Sequence, residues 1–300
     1  MTLAEALTAE PLVLDGGMSN QLESAGHDLS DALWSARLLA DDPAAIVAAH
    51  EAYVAAGAQV AITASYQASF GGFAHKGIGR EQAAALFGLS VELARRAGPR
   101  YVAASVGPYG AVLADGSEYR GRYGLTVAQL ERFHRPRIEA LAAAAPDVLA
   151  LETVPDIDEA EAILRVVGTS GLPSWLSYTV SGSRTRAGQP LEDAFALAAS
   201  VDSVIAVGVN CCAPHDVAAA VEIAAAVTSK PVVVYPNSGE TWDAAERTWK
   251  GSNTFDADLV RRWVLAGARL VGGCCRVGPA GISAVAQVLK QAYRSGSTPR

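Results

Sequence analysis

The chain has no run rich in lysine or arginine, and its formal net charge is -7 over 300 residues. Binding to nucleic acid or to an anionic membrane surface therefore has no electrostatic footprint. No stretch approaches twenty uninterrupted apolar residues, because charges break the alanine-rich segments, so nothing reads as a membrane span. Met1 to Pro11 contains Glu5 and Glu10, with neither a basic start nor a long apolar run, which argues against a secretory signal. The expectation is a soluble, cytoplasmic protein whose thiols stay reduced.

Two further absences narrow the fold. No composition break or low-complexity linker interrupts the chain, so residues 1–300 read as a single domain. No GxGxxG turn follows the first strand candidate, which removes the signature of a dinucleotide fold. Half the residues are apolar, enough for a sizeable core, and they fall into an alternating pattern. Short β-branched or apolar runs at 12–15, 60–66, 101–106, 148–152, 175–180, 205–211, 232–235 and 270–274 have strand length and polar, Gly or Pro boundaries. Amphipathic helical patterns lie between and after them, at 43–56, 80–97, 126–144, 157–167, 191–199, 215–226, 256–266 and 279–293. Asp42-Pro43 and Gly278-Pro279 place proline where a first helical turn accepts it, and Thr126 with Gln129 has capping-box spacing. Near-continuous apolar strands suit a parallel sheet covered by helices. Eight such units in this length give an α/β fold, a (β/α)8 TIM barrel, with a doubly wound open sheet as the alternative. The connections 107–125 and 20–42 are long enough to be functional, and the second carries Trp34.

Only four cysteines are present, as the adjacent pairs Cys211-Cys212 and Cys274-Cys275, each at the end of a strand candidate and neither in CxxC spacing. A closed structural zinc site usually shows CxxC in small loops. If both strand ends share one rim, three thiols can converge on a metal and leave a position open for a substrate thiol. Strand alternation points Cys212 away from Cys211 and favours an inert, buried Cys212. His215 is the rival ligand, although its place at a helix start suits a surface residue; the other histidines show no metal spacing. A redox pair of vicinal cysteines and a non-catalytic metal-storage protein are the remaining readings of the thiols.

In a parallel barrel, chemistry collects at the C-terminal strand ends. Those ends deliver Asp15-Gly16-Gly17, Thr63, Ser105, Glu152-Thr153, Asn210-Cys211, Tyr235-Pro236-Asn237 and Cys274-Cys275. Asp15 before two glycines also fits plain turn chemistry, and Glu152 also fits a helix cap or an arginine partner. Carboxylates beside thiols argue for an amino-acid pocket, which metal storage does not need.

Asp15-Gly16-Gly17-Met18, Glu152-Thr153, Gly208-Val209-Asn210-Cys211 and Gly272-Gly273-Cys274-Cys275 together resemble the homocysteine S-methyltransferase family, from about residue 11 to 292. The resemblance implies a TIM barrel and a catalytic Zn²⁺ on Cys211, Cys274 and Cys275. It implies that Asp15 and Glu152 hold the amino group of L-homocysteine, with the glycines Gly16 and Gly17 near its carboxylate and Thr63 and Asn210 lining the pocket. The segments 31–36, 105–110 and 117–121 resemble the branch that uses S-methylmethionine or S-adenosylmethionine as donor. Thr153 stands where betaine-using enzymes carry a tyrosine that can ligate zinc, and their long C-terminal oligomerisation segment has no counterpart here, which favours a monomer. The implied reaction belongs to methionine biosynthesis: the zinc-activated homocysteine thiolate takes a methyl group from a sulfonium donor. Trp34, Tyr66 and Tyr109 are the candidate walls for that cationic donor. The alternative is a betaine-dependent or other zinc-thiolate methyltransferase acting on a related small thiol or selenol.

Overall fold

The computed structural model describes every residue except 30–32, 34, 244–247 and 295–300. Trp34, and part of the 31–36 segment around it, lie outside the described residues.

Eight parallel strands form one sheet: β1 (Leu12–Val13), β2 (Val60–Ile62), β3 (Tyr101–Val106), β4 (Val148–Val154), β5 (Ser174–Tyr178), β6 (Val204–Asn210), β7 (Val232–Tyr235) and β8 (Ala268–Val271). Their order is β1-β8-β7-β6-β5-β4-β3-β2, so the first and last strands are neighbours. A parallel bridge between Leu14 and Val60 brings the two edges together and closes the barrel. The Asp15 N–H donates to the Val60 carbonyl at 3.1 Å on the same seam. The helices α1 (Pro43–Ala55), α2 (Arg80–Arg96), α3 (Val127–Ala143), α4 (Ile157–Val167), α5 (Leu191–Ala199), α6 (Val217–Thr228), α7 (Ala257–Ala266) and α8 (Pro279–Arg294) follow the strands in turn.

Side-chain alternation divides the core into two layers. Tyr101 and Ala103 of β3, Val148 and Ala150 of β4, Trp175 of β5, Ala206 of β6 and Val233 and Tyr235 of β7 fill the barrel interior. Their neighbours Val102, Leu149, Leu151, Leu176, Val207 and Val234 face the helices. The strands are apolar on both faces because both faces are buried.

Local signals end the helices where the sequence places them. The Asp42 carboxylate accepts from the Ala45 N–H ahead of Pro43, and Thr126 and Gln129 complete a reciprocal capping box. Helix α6 begins later than its periodicity suggests, because Pro214–Asp216 forms a single 3-10 turn first. Strands β1, β2 and β8 stop short of their apolar runs. Parallel pairing ends there and the backbone turns to build the rim.

One element was illegible from composition. Leu3–Ala9 is a helix with its own capping box, and Leu3, Ala6 and Leu7 join the interior layer. The Tyr101 hydroxyl, at the start of β3, donates to the Met1 carbonyl at 3.1 Å. This helix therefore closes the end of the barrel where the strands begin. The opposite end is left for chemistry.

Candidate metal and substrate site

The three sulfurs of Cys211, Cys274 and Cys275 lie within 4.8 Å of one another, an arrangement that could hold a metal ion. Cys211 Sγ and Cys275 Sγ are 3.7 Å apart. A backbone irregularity makes this possible. Asn210 ends β6 inside the barrel, so strict alternation would send Cys211 outward and Cys212 inward. Cys211 instead adopts the left-handed conformation at φ 50°, and Cys212 is buried in the outer layer against the helices. A left-handed non-glycine residue costs about 1–2 kcal/mol, which the surrounding packing must hold in place. Thr153 at φ 57° makes the same turn after Glu152, and Arg276 at φ 65° follows Cys275.

The turn after β7 ties the two cysteine segments together. The Asn237 N–H donates to the Cys212 carbonyl at 2.9 Å, and Asn237 Oδ1 accepts from the Cys275 N–H at 3.1 Å. The Cys274 N–H donates to the Pro236 carbonyl at 2.7 Å, and the Ser238 N–H to the Cys275 carbonyl at 2.9 Å. The glycine motifs have a related cause. A Cβ on Gly17 would lie 2.6 Å from the Cys274 carbonyl oxygen, and one on Gly272 would lie 2.5 Å from the Asp15 carbonyl oxygen. Backbone meets backbone at both points, so Asp-Gly-Gly and Gly-Gly-Cys-Cys interlock across the β1–β8 seam.

Within the cluster the three thiols share charge unequally. Interactions with Cys211 and Cys274 hold the Cys275 thiol well below the ordinary range. Cys274 is pushed up by its contacts with Cys211 and Cys275 and by burial. Three thiolates at this spacing repel one another unless a cation lies among them.

Both predicted carboxylates are buried at the same rim. Asp15 Oδ2 accepts from the Ile62 N–H at 2.8 Å. Glu152 accepts from the Ser105 hydroxyl, and Tyr235 lies close enough to favour its charged form. Burial raises Asp15 well above the usual carboxylate range despite the Ile62 bond, and the Glu152 charge adds to the rise. Burial likewise pushes Glu152 up to about 7. Two carboxylates that resist ionisation in this way would gain from a cationic guest.

Thr63 and Asn210 are tied into the same rim. Thr63 Oγ1 accepts from the Ser105 N–H at 2.9 Å and lies 2.7 Å from Ser65 Oγ. Asn210 Oδ1 accepts from the Thr153 N–H and the Ser177 hydroxyl, both at 2.7 Å, while its Nδ2 donates to Thr153 Oγ1 at 2.7 Å. Asn210 thereby secures the left-handed turn at Thr153. The Gly17 N–H is already engaged with the Val277 carbonyl at 3.0 Å.

The tyrosines separate. Tyr66 lies near the Thr153 side chain and in the field of Glu118 and Cys211. Tyr109 stands apart, its ring packed on Tyr123 and Phe133 at centroid distances of 5.3 and 4.9 Å. His215 is exposed beside Asp216, and the thiol cluster does not include it. Two residues reach the site without having been singled out by sequence reading. Tyr119 Oη lies 3.0 Å from Cys211 Sγ, a contact in which either group can donate. Glu118 precedes it in the 3-10 turn Ser117–Tyr119, and burial pushes its carboxyl up to about 7. Both belong to the 107–125 connection, whose length and whose 117–121 segment were the signals available.

A family model described as homocysteine S-methyltransferase matches residues 12–289. Among characterised relatives, the homocysteine S-methyltransferase of Escherichia coli strain K12 is 47% identical over 292 residues, covering 91% of this chain and 94% of that protein. Homocysteine S-methyltransferase 4 of Zea mays is 43% identical, covering 93% and 90%. The crystal structure of the E. coli homocysteine methyltransferase MmuM in its metallated form superposes with a TM-score of 0.84 at 44% identity, covering 93% of this chain and 96% of that one.

Proposed function

The chain belongs to the homocysteine S-methyltransferase family, and from that premise we propose that it methylates the sulfur of L-homocysteine from a sulfonium donor, S-methylmethionine or S-adenosylmethionine, to give methionine. The observation that carries this reading is the convergence of three thiols, within 4.8 Å of one another, on a rim that also holds two buried carboxylates. Metal storage would have no use for the carboxylates, and a redox pair would have no use for the third thiol.

The donor set fits zinc. Two sulfurs each about 2.3 Å from a tetrahedral Zn²⁺ stand roughly 3.8 Å apart, and Cys211 and Cys275 are spaced at 3.7 Å. Zinc held by Cys211, Cys274 and Cys275 would supply an open position that keeps a substrate thiol deprotonated near neutral pH. The protein's own groups do the rest. Asp15 and Glu152 take the substrate ammonium, whose charge offsets the cost of their burial. The Gly16 backbone N–H meets the substrate carboxylate. Asn210, through Thr153, fixes the left-handed turn that follows Glu152. The homocysteine sulfur forms a bond to the methyl carbon as the bond from that carbon to the sulfonium sulfur breaks, and the donor leaves as a neutral thioether. No protein base is needed in that step; the residues contribute alignment of the two sulfurs and the methyl carbon.

This reading calls for two small-molecule substrates and a single barrel domain acting as a cytoplasmic monomer. Among the described residues, no helix is long and apolar enough to cross a membrane. The test is direct. Zinc-loaded protein is incubated with homocysteine and, separately, S-methylmethionine, S-adenosylmethionine or betaine, and methionine is measured. Formation with a sulfonium donor and not with betaine is expected; no methionine from either sulfonium would end the proposal.

A further inference from the structure

Glu118 is left unexplained by the roles assigned so far. Its Oε2 is buried and has no hydrogen-bond partner. A buried carboxylate oxygen without a donor is costly, and such a group usually marks a site whose partner arrives with a ligand. Its placement is constrained. A Cβ on Gly110 would lie 2.4 Å from the Glu118 backbone nitrogen, so the turn packs tightly over the start of the 107–125 connection. The next residue, Tyr119, reaches Cys211 at 3.0 Å. Glu118 is also close enough to Cys211 and Tyr66 for the charges of the three groups to act on one another. The same turn thus places an aromatic hydroxyl on a sulfur of the cluster and an unpaired carboxylate oxygen within electrostatic reach of it.

Asp15 and Glu152 form a separate pair. The Glu152 charge acts on Asp15, and each is anchored by a donor, from β2 for Asp15 and from β3 for Glu152. Methyl transfer between two amino acids presents two positive charges: the ammonium of the acceptor and the sulfonium of the donor. One anionic pair and one lone carboxylate, on different elements around the same thiols, match that requirement.

We propose that Glu118 is the specificity-determining carboxylate for the methyl donor, recognising the positive charge at its reacting end while Tyr66 and Tyr119 supply aromatic surface beside it. This rests on the methyltransferase reading above. The charge that Glu118 recognises is present in the sulfonium and absent from the thioether product, so the residue would favour donor entry and product release alike.

The test compares zinc-loaded wild-type protein with Glu118→Gln and Glu118→Asp. Michaelis constants are measured for homocysteine and for S-methylmethionine, and calorimetry compares binding of S-methylmethionine with that of its uncharged thioether counterpart. In Glu118→Gln, KM for the donor is expected to rise about tenfold, the scale of one lost charge-assisted contact, with KM for homocysteine and zinc content unchanged. The preference for sulfonium over thioether should fall by a similar factor. Glu118→Asp, which keeps the charge at shorter reach, should recover part of both. An unchanged donor KM with an unchanged sulfonium preference would overturn the proposal, as would an increase confined to homocysteine. Wild-type protein that forms no methionine would instead overturn the underlying methyltransferase reading.

Discussion

At the scale of single residues, the site depends on groups held in states they would not adopt in water. Glu152 is the sharpest case. Its pKa rises from 4.5 to about 7 on burial, so the folded protein keeps a proton that the unfolded chain releases above about 4.5. Between these values the native state binds more protons, and stability therefore falls as pH rises, levelling above about 7. Glu152→Gln removes that slope. In metal-free protein, denaturant unfolding at about pH 5 and about pH 8 should show the variant gaining on wild type at the higher pH; parallel stabilities would contradict the assigned burial cost. The same variant should bind homocysteine about tenfold more weakly by calorimetry while retaining its metal. Unaltered affinity would remove Glu152 from the ammonium site. Asp15 and Glu152 could be nominated from the sequence because alternation and strand ends are local properties. Glu118 could not, because an unpaired oxygen becomes visible only when its surroundings are known.

At the scale of elements, two strand ends and one turn build the thiol cluster. β6 supplies Cys211, the segment after β8 supplies Cys274 and Cys275, and the turn after β7 bridges them through Asn237. Asn237→Ala removes the acceptor of the Cys275 N–H and leaves its own backbone bond to Cys212 intact. Competition with a chelator should show metal affinity lowered about tenfold, with the thermal midpoint little changed. Equal affinity would show that the backbone bonds alone position Cys275. Sequence reading found every barrel strand and helix because each carries its own period and end signals. Thr126 with Gln129 and Asp42 with Pro43 are such signals. It missed the left-handed turn at Cys211, since no residue type announces it, and alternation alone could not tell which thiol of the pair faces the rim.

At the scale of the whole molecule, the two ends of the barrel have different tasks. The helix Leu3–Ala9 seals the end where strands begin, and Leu7 is completely buried there. Leu7→Ala should cost about 2–5 kcal/mol of stability, measured by denaturant unfolding, while Michaelis constants for both substrates hold. A change in substrate affinity matching the loss of stability would mean that the two ends are coupled. This helix escaped sequence reading because seven residues give too little periodicity, and its apolar positions make sense only against a barrel that the rest of the chain has yet to form.

The seam between β1 and β8 also sets an order of events in time. Asp15 and the glycines beside it leave the ribosome early, whereas Cys274 and Cys275 stand in the last tenth of the chain. Neither half of the interlocked glycine motif has its partner until the segment after β8 has been made. A nascent chain can therefore pair its central strands while offering only Cys211 and its neighbour to a metal, so the full ligand set becomes available only after all eight strands have been made.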